Sequence, residues 1–173
     1  MKVILYMAIS ANGIIATETG DEKFLSHENW EKFCELAREF GNFVVGRKTY
    51  EAVKKWDGGY NFNDLVGVEK VIISKDQNFK LDKSYTLANS PEDALAKLSQ
   101  KGFKKVLVTG GSSINSAFAK INLLDEIVFN VEPVVVGKGI PVFALEDFEL
   151  KLKLISSEKS ASGLLTLGYN VLK

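Results

Sequence analysis

The sequence predicts an α/β fold with three layers: a mostly parallel central sheet, helices on both of its faces, and an antiparallel hairpin at the C-terminal end. Three observations predict it. Short apolar runs rich in Val and Ile alternate with segments whose apolar residues recur at helical spacing. The first such run, residues 3–9, is almost unbroken, which suits a strand covered on both faces and placed centrally. The last part of the chain is strand-like with no helical segment between its runs, so it closes the sheet by antiparallel pairing.

Each element has a local reason. The strand over residues 3–9 ends at the turn signal Ala11-Asn12-Gly13. Ser26 opens a helix in which Trp30, Phe33, Cys34, Ala37 and Phe40 recur at helical spacing, and Gly41 closes it. Residues 43–45 form a short strand, and Gly46 leads into a helix over residues 49–55. Residues 56–68, with three glycines and two asparagines, read as a connecting loop. Strands over 71–74 and 84–87 follow. Ser90 then caps a helix begun by Pro91, with Ala94, Leu95 and Leu98 on its inner face. Residues 105–109 are a strand, 114–121 a helix, and 126–136, 150–156 and 164–172 the closing strands.

Composition narrows the function classes. A chain of 173 residues, 46% hydrophobic and 25% charged, reads as one domain with room for a core and a cleft. Lys and Arg total 22 and Asp and Glu total 22, so no net field recruits nucleic acid or an anionic membrane. Any anion must be held locally. The single cysteine, Cys34, allows no internal disulfide, no Cys/His cluster offers metal-ligand spacing, and a reducing cytoplasm suits the chain. No run is long enough to cross a bilayer, and MKVILYMAIS reads as a first strand rather than a signal peptide.

Two glycine-bearing turns carry the chemistry. In VLVTGGSSINS, two adjacent glycines follow a strand and precede a helix, which lets a ligand approach bare backbone while free N–H groups at the helix start attract a phosphate. An ordinary strand-to-helix turn has the same look. In Gly46-Arg47-Lys48-Thr49 the glycine again permits close approach, Thr49 offers a hydroxyl, and Arg47 offers a guanidinium. A capped helix with a solvated basic turn is the alternative there.

Four segments, Ala8-Ile9-Ser10-Ala11-Asn12-Gly13-Ile14-Ile15-Ala16, Val44-Val45-Gly46-Arg47-Lys48-Thr49-Tyr50-Glu51, Val71-Ile72-Ile73-Ser74 and Val108-Thr109-Gly110-Gly111, resemble in order and spacing the dihydrofolate reductase superfamily. That superfamily includes the riboflavin-pathway pyrimidine reductases, whose domain is called the RibD C-terminal type. The resemblance covers essentially the whole chain and implies a dihydrofolate-reductase-like fold and NADPH as cofactor. It assigns the nicotinamide to the backbone of Ala8 and Ile15. The pyrophosphate falls to Gly46, Arg47, Lys48, Thr49, Gly110, Gly111, Ser112, Ser113 and Ile114, and the 2′-phosphate to Ser74 and Lys75. Counting without a gap places Glu28 at the acid of the folate branch, with Met7, Lys32 and Asn130 beside the substrate. As a bare residue, Glu28 equally suits the acid-rich first turn of any helix.

The chain also departs from the folate pattern. The lid segment TETGDEK, residues 17–23, lacks the proline and tryptophan common there, and only Lys70 stands where an arginine clamps the folate tail. The segment from Leu124-Asp125-Glu126-Ile127 through Pro133-Val134-Val135-Val136-Gly137-Lys138-Gly139-Ile140-Pro141-Val142-Phe143 looks instead like the riboflavin branch. The resemblance thus implies a hydride-transferring reductase of a nitrogen heterocycle, with dihydrofolate ranked first. A (ribosylamino)pyrimidine phosphate, met by Lys138 or Lys70, ranks second, and a nucleotide-binding pseudoenzyme third. Its β-rich C-terminal segments are candidates for pairing in a homodimer.

Overall fold

The computed structural model describes residues 1–56 and 59–173, so positions 57 and 58 of the expected loop lie outside the described residues. Among the described residues, ten strands and four α-helices occur in the order β1 (Lys2–Ser10), β2 (Ile14–Thr17), α1 (His27–Phe40), β3 (Asn42–Gly46), α2 (Arg47–Val53), β4 (Glu69–Ile73), β5 (Tyr85–Ala88), α3 (Pro91–Gln100), β6 (Lys105–Val108), α4 (Ser112–Lys120), β7 (Glu126–Glu132), β8 (Gly139–Pro141), β9 (Lys151–Lys159) and β10 (Leu165–Leu172). Eight strands form one sheet in the order β5-β4-β3-β6-β1-β7-β10-β9. Its pairs are parallel from β5 to β7, and β10 runs antiparallel to both β7 and β9.

Two apolar layers sandwich this sheet. Val3, Leu5, Val44, Val71, Val106 and Val108 pack beneath α3 and α4, meeting Ala94, Leu98, Phe118 and Ala119. Tyr6, Phe43, Val45, Ile72 and Leu107 face the other way, against Phe33, Ala37, Tyr50 and Val53 of α1 and α2. Strand β1 feeds both layers because successive side chains alternate faces, which is why its sequence is apolar throughout.

Helix α1 starts after Ser26 and stops at Gly41, whose φ of 69° is the left-handed geometry glycine tolerates best. Ser26 makes no side-chain cap; its backbone N–H donates to Glu132 Oε1 at 2.6 Å instead. At α3 the Ser90 hydroxyl does cap, accepting from the Asp93 N–H at 3.2 Å. Two expectations differ from the structure. The run over 126–136 stops pairing at Glu132, because Pro133 has no N–H to donate. The small sheet of β2 and β8 was not expected as a unit, since it joins four residues to three across more than a hundred positions. No helix among the described residues is long and apolar enough to cross a membrane.

Candidate functional site

The two glycine turns meet at the C-terminal ends of the parallel strands, the end at which open α/β sheets bind ligands. The Gly46 N–H donates to the Gly110 carbonyl at 2.8 Å, which ties the start of α2 to the turn before α4. A β-carbon at Gly46 would stand 2.7 Å from Ile114 Cγ1, and one at Gly111 would stand 2.9 Å from Thr49 Oγ1. Gly110 adopts φ +89° and packs against Met7. Neither α2 nor α4 carries a side-chain cap at its start, so backbone donors of their first turns stay available. The Ser112 hydroxyl is buried and has no hydrogen-bond partner among the described residues. Bare backbone, uncapped N–H groups and an orphan hydroxyl together fit a dinucleotide pyrophosphate.

A cleft of about 690 Å³ opens beside this junction. Met7, Ala8, Ile15, Thr49, Thr109 and Gly111 line one end. The other end is aromatic: Trp30 meets Trp56 at 6.2 Å, Tyr60 at 5.3 Å and Phe62 at 5.8 Å between ring centroids, and Phe33 stands behind. Such a wall suits a planar ring. Residues 19–23 line the cleft as well, held by a turn in which Thr17 and Asp21 exchange bonds of 2.9 and 3.0 Å.

Within that segment Glu22 stands out. Its side chain has no salt-bridge partner among the described residues, and burial pushes its carboxyl up to about 8, with the neighbouring charge of Asp21 adding to the rise. Neither Glu22 nor the aromatic Trp56 and Tyr60 had been singled out as site residues. A run of acidic and basic residues in a loop reads as solvated surface until the fold closes over it.

The remaining expected residues separate into groups. Arg47 lies with Nε 3.9 Å from Glu51 and Nη1 3.8 Å from Asp76, its guanidinium over the Phe79 ring. Asp76 follows Ser74 and Lys75 at the end of β4; Ser74 is buried, whereas Lys75 and Lys48 are exposed. These groups therefore gather at one corner, beside the two glycine turns. Glu28, Lys32 and Asn130 do not face the main cleft. They border a separate cavity of about 100 Å³ under the β9–β10 hairpin. There Glu28 Oε2 accepts from Ser162 Oγ at 2.6 Å and from Ser160 Oγ at 3.4 Å.

The reason is helical phase. Each residue turns the helix by about 100°, so the face of α1 toward the sheet carries Asn29, Phe33 and Ala37, and Glu28 and Lys32 share the next face. Asn130, expected beside the substrate, donates instead to the Tyr6 hydroxyl at 2.8 Å and accepts from Thr166 Oγ1 at 2.6 Å. Burial, partly offset by that bond, raises the Tyr6 phenol above its ordinary range and keeps it protonated. Lys70 is buried with its ammonium on the Val68 carbonyl at 3.1 Å, and Lys138 lies outside the cleft lining, so neither reaches the cleft. Lys23 and Lys55 are the cations that line it.

Comparison with known proteins adds relatives. The model of the RibD C-terminal domain matches residues 1–166. An uncharacterized protein of Bacillus subtilis strain 168, YwjB, is 30% identical over 157 residues, 88% of each chain. A second from the same organism, YyaP, is 22% identical over 98% of this chain and 94% of its own. Among solved structures, a putative riboflavin biosynthesis protein from Shewanella sp. PV-4 superposes with a TM-score of 0.80 at 23% identity over the full length of both chains. The Thermotoga maritima diaminohydroxyphosphoribosylaminopyrimidine deaminase/5-amino-6-(5-phosphoribosylamino)uracil reductase superposes at 0.77 and 21% identity, over 99% of this chain and 56% of that one.

Proposed function

The chain belongs to the RibD C-terminal domain family, a family of oxidoreductases, and on that premise we propose that it is an NADPH-dependent reductase of a pyrimidine-type nitrogen heterocycle. The observation that carries the reading is one cleft whose glycine-built end, at Thr49 and Gly111, fits a dinucleotide and whose other end is an aromatic wall. NADPH, when bound, supplies a hydride. The backbone at Ala8 and Ile15 orients its nicotinamide, and the turns at Gly46 and Gly110-Gly111, with Thr49, Ser112, Ser113 and Ile114, hold its pyrophosphate. Arg47 and Lys75 answer the 2′-phosphate, with Lys48 and Ser74 alongside.

The C=N bond of such a substrate is the imine its ribosylamino side chain forms when the sugar ring opens; hydride adds to the sugar carbon, and the reduction also needs a proton on nitrogen. Glu22 is the group we assign to it, because it lines the cleft and burial raises its carboxyl to about 8. Lys23 and Lys55 offer charge to a substrate phosphate at the same cleft. Dihydrofolate takes second place, because Glu28, the acid that reading needed, borders the other cavity. Parallel assays of NADPH oxidation with 5-amino-6-(5-phosphoribosylamino)uracil and with 7,8-dihydrofolate test the assignment. Consumption with the first compound alone is expected, and consumption with dihydrofolate alone would reverse the order. NADPH binding without turnover on either would favour a pseudoenzyme.

The setting we propose is the cytoplasm, where reduced nicotinamide is available. The partner we propose is a second copy along β9, an edge strand exposed over its whole length with Leu152, Leu154 and Ile155 uncovered. Light scattering of Leu154→Asp against the parent chain tests that pairing.

A further inference from the structure

Asn29 is a polar group in the cleft to which the reductase reading gives no task. It is 4% exposed and lines the cleft beside Trp30 and Phe33. Its Nδ2 donates to Glu132 Oε1 in a short bond and lies 3.4 Å from Ser26 Oγ. Its Oδ1 is buried and has no hydrogen-bond partner among the described residues. The main-chain carbonyl of Asn29 is also committed, accepting from the Tyr6 hydroxyl at 3.2 Å.

Glu132 decides which end of the amide is left over. It is 6% exposed, and its Oε1 receives two N–H donors, from Asn29 Nδ2 and from the Ser26 backbone at 2.6 Å. An oxygen accepting twice holds the NH₂ end of the amide against itself, so the carbonyl end is the one without a partner. Buried acceptors are ordinarily satisfied, and one left unpaired beside a ligand cleft awaits a donor from the ligand.

We infer that Asn29 is a specificity-determining residue whose Oδ1 receives an N–H of a planar ring lying against the aromatic wall, with Glu132 as the positioning residue that holds the amide in that sense. The site then takes heterocycles that present an N–H donor. It rejects rings of similar shape that present none, because the acceptor would stay buried and unpaired. This rests on the cleft being the substrate site of the proposed reductase, and it adds the hydrogen-bonding class of the substrate.

The two tryptophans, Trp30 and Trp56, both line the cleft, so their fluorescence reports ring binding. Three probes are titrated into the protein saturated with NADP⁺: uracil, 2,4-diaminopyrimidine, and 1,3-dimethyluracil, which keeps the uracil carbonyls and has no N–H. At least one donor-bearing ring should bind about tenfold or more tighter than 1,3-dimethyluracil. In Asn29→Leu that ratio should fall to within about twofold, with NADP⁺ affinity retained.

Glu132→Gln keeps the inference testable should Asn29→Leu fail to fold. A primary amide at 132 can present either end to Asn29, so selection should weaken several-fold at unchanged NADP⁺ affinity. Equal binding of the three probes, no binding of any, or an undiminished ratio in the variants that fold would overturn the inference. Donor selection that depends on Asn29, in a protein that oxidises no NADPH with either assay substrate, would leave the inference standing and sink the reductase reading alone.

Discussion

Thr49 Oγ1 and the backbone of Gly111 face each other so closely that a β-carbon at position 111 would stand 2.9 Å from the hydroxyl. The contact joins the first turns of α2 and α4, and it leaves the junction without side-chain cover.

Gly111→Val should therefore fill the approach to this junction and push the Thr49 hydroxyl aside, while the backbone tolerates the change because φ −76° at Gly111 is open to any residue. NADPH affinity should drop about a hundredfold or more, the loss of one or two charge-assisted bonds at about 1.5–3 kcal/mol each. Titration of NADPH fluorescence in the folded variant checks this, and unchanged affinity would remove the cofactor from this junction.

Cofactor choice should follow the corner formed by Arg47 and Lys75. Replacing both by Ala should weaken NADPH far more than NADH, by about 1.5–3 kcal/mol per charge-assisted contact. Arg47 lies 3.8 Å from Asp76, whose carboxylate would compete with a 2′-phosphate held there, so Asp76→Asn should shift preference further toward NADPH. Comparing the two dissociation constants in each variant decides it; equal losses would place the phosphate elsewhere.

Glu22 gives the pH dependence a definite sign. An acid raised to about 8 donates while protonated, so substrate turnover should decline as pH climbs through about 8. Glu22→Gln should lower the rate by roughly 10²- to 10⁴-fold and abolish that limb. Stability follows the same proton. The folded chain retains it between the ordinary carboxyl value of 4.5 and about 8, where the unfolded chain has released it. Stability is thus full below 4.5 and is lost progressively up to about 8, a slope that thermal melts of Glu22→Gln should not show. The charge of Asp21 opposes the ionised form as well.

Glu28→Gln separates the two carboxylates. Its bonds to Ser160 and Ser162 tie α1 to the turn between β9 and β10, so the substitution should cost at most about 1 kcal/mol of stability. Steady-state turnover should stay at the parental level. A hundredfold loss would return Glu28 to the chemistry.

Element order was legible because periodicity is local. The spacing of Phe33 and Ala37 marks α1, and the apolar run of β1 marks a strand covered on two sides. The glycine turns were legible for a related reason: close backbone approach at Gly46 and Gly111 demands the absence of a side chain, and that demand is written in one letter. The family resemblance was carried by those turns together with residues 8–16 and 71–74. The substrate end was not legible. Whether position 28 or 29 of α1 faces the cleft turns on one residue of helical phase, about 100°, which only packing against the sheet settles. Trp56 and Tyr60 come to Trp30 from an irregular loop with no periodicity to announce them. The acidity of Glu22 belongs to its burial, and Asn29 and Glu132 are partners 103 positions apart. From its sequence alone this protein's layers and glycine turns follow, because near neighbours in the chain determine them. Which polar groups meet in the cleft, and in which protonation state, is decided by long-range packing and desolvation, which exist only once the sheet and helices have closed.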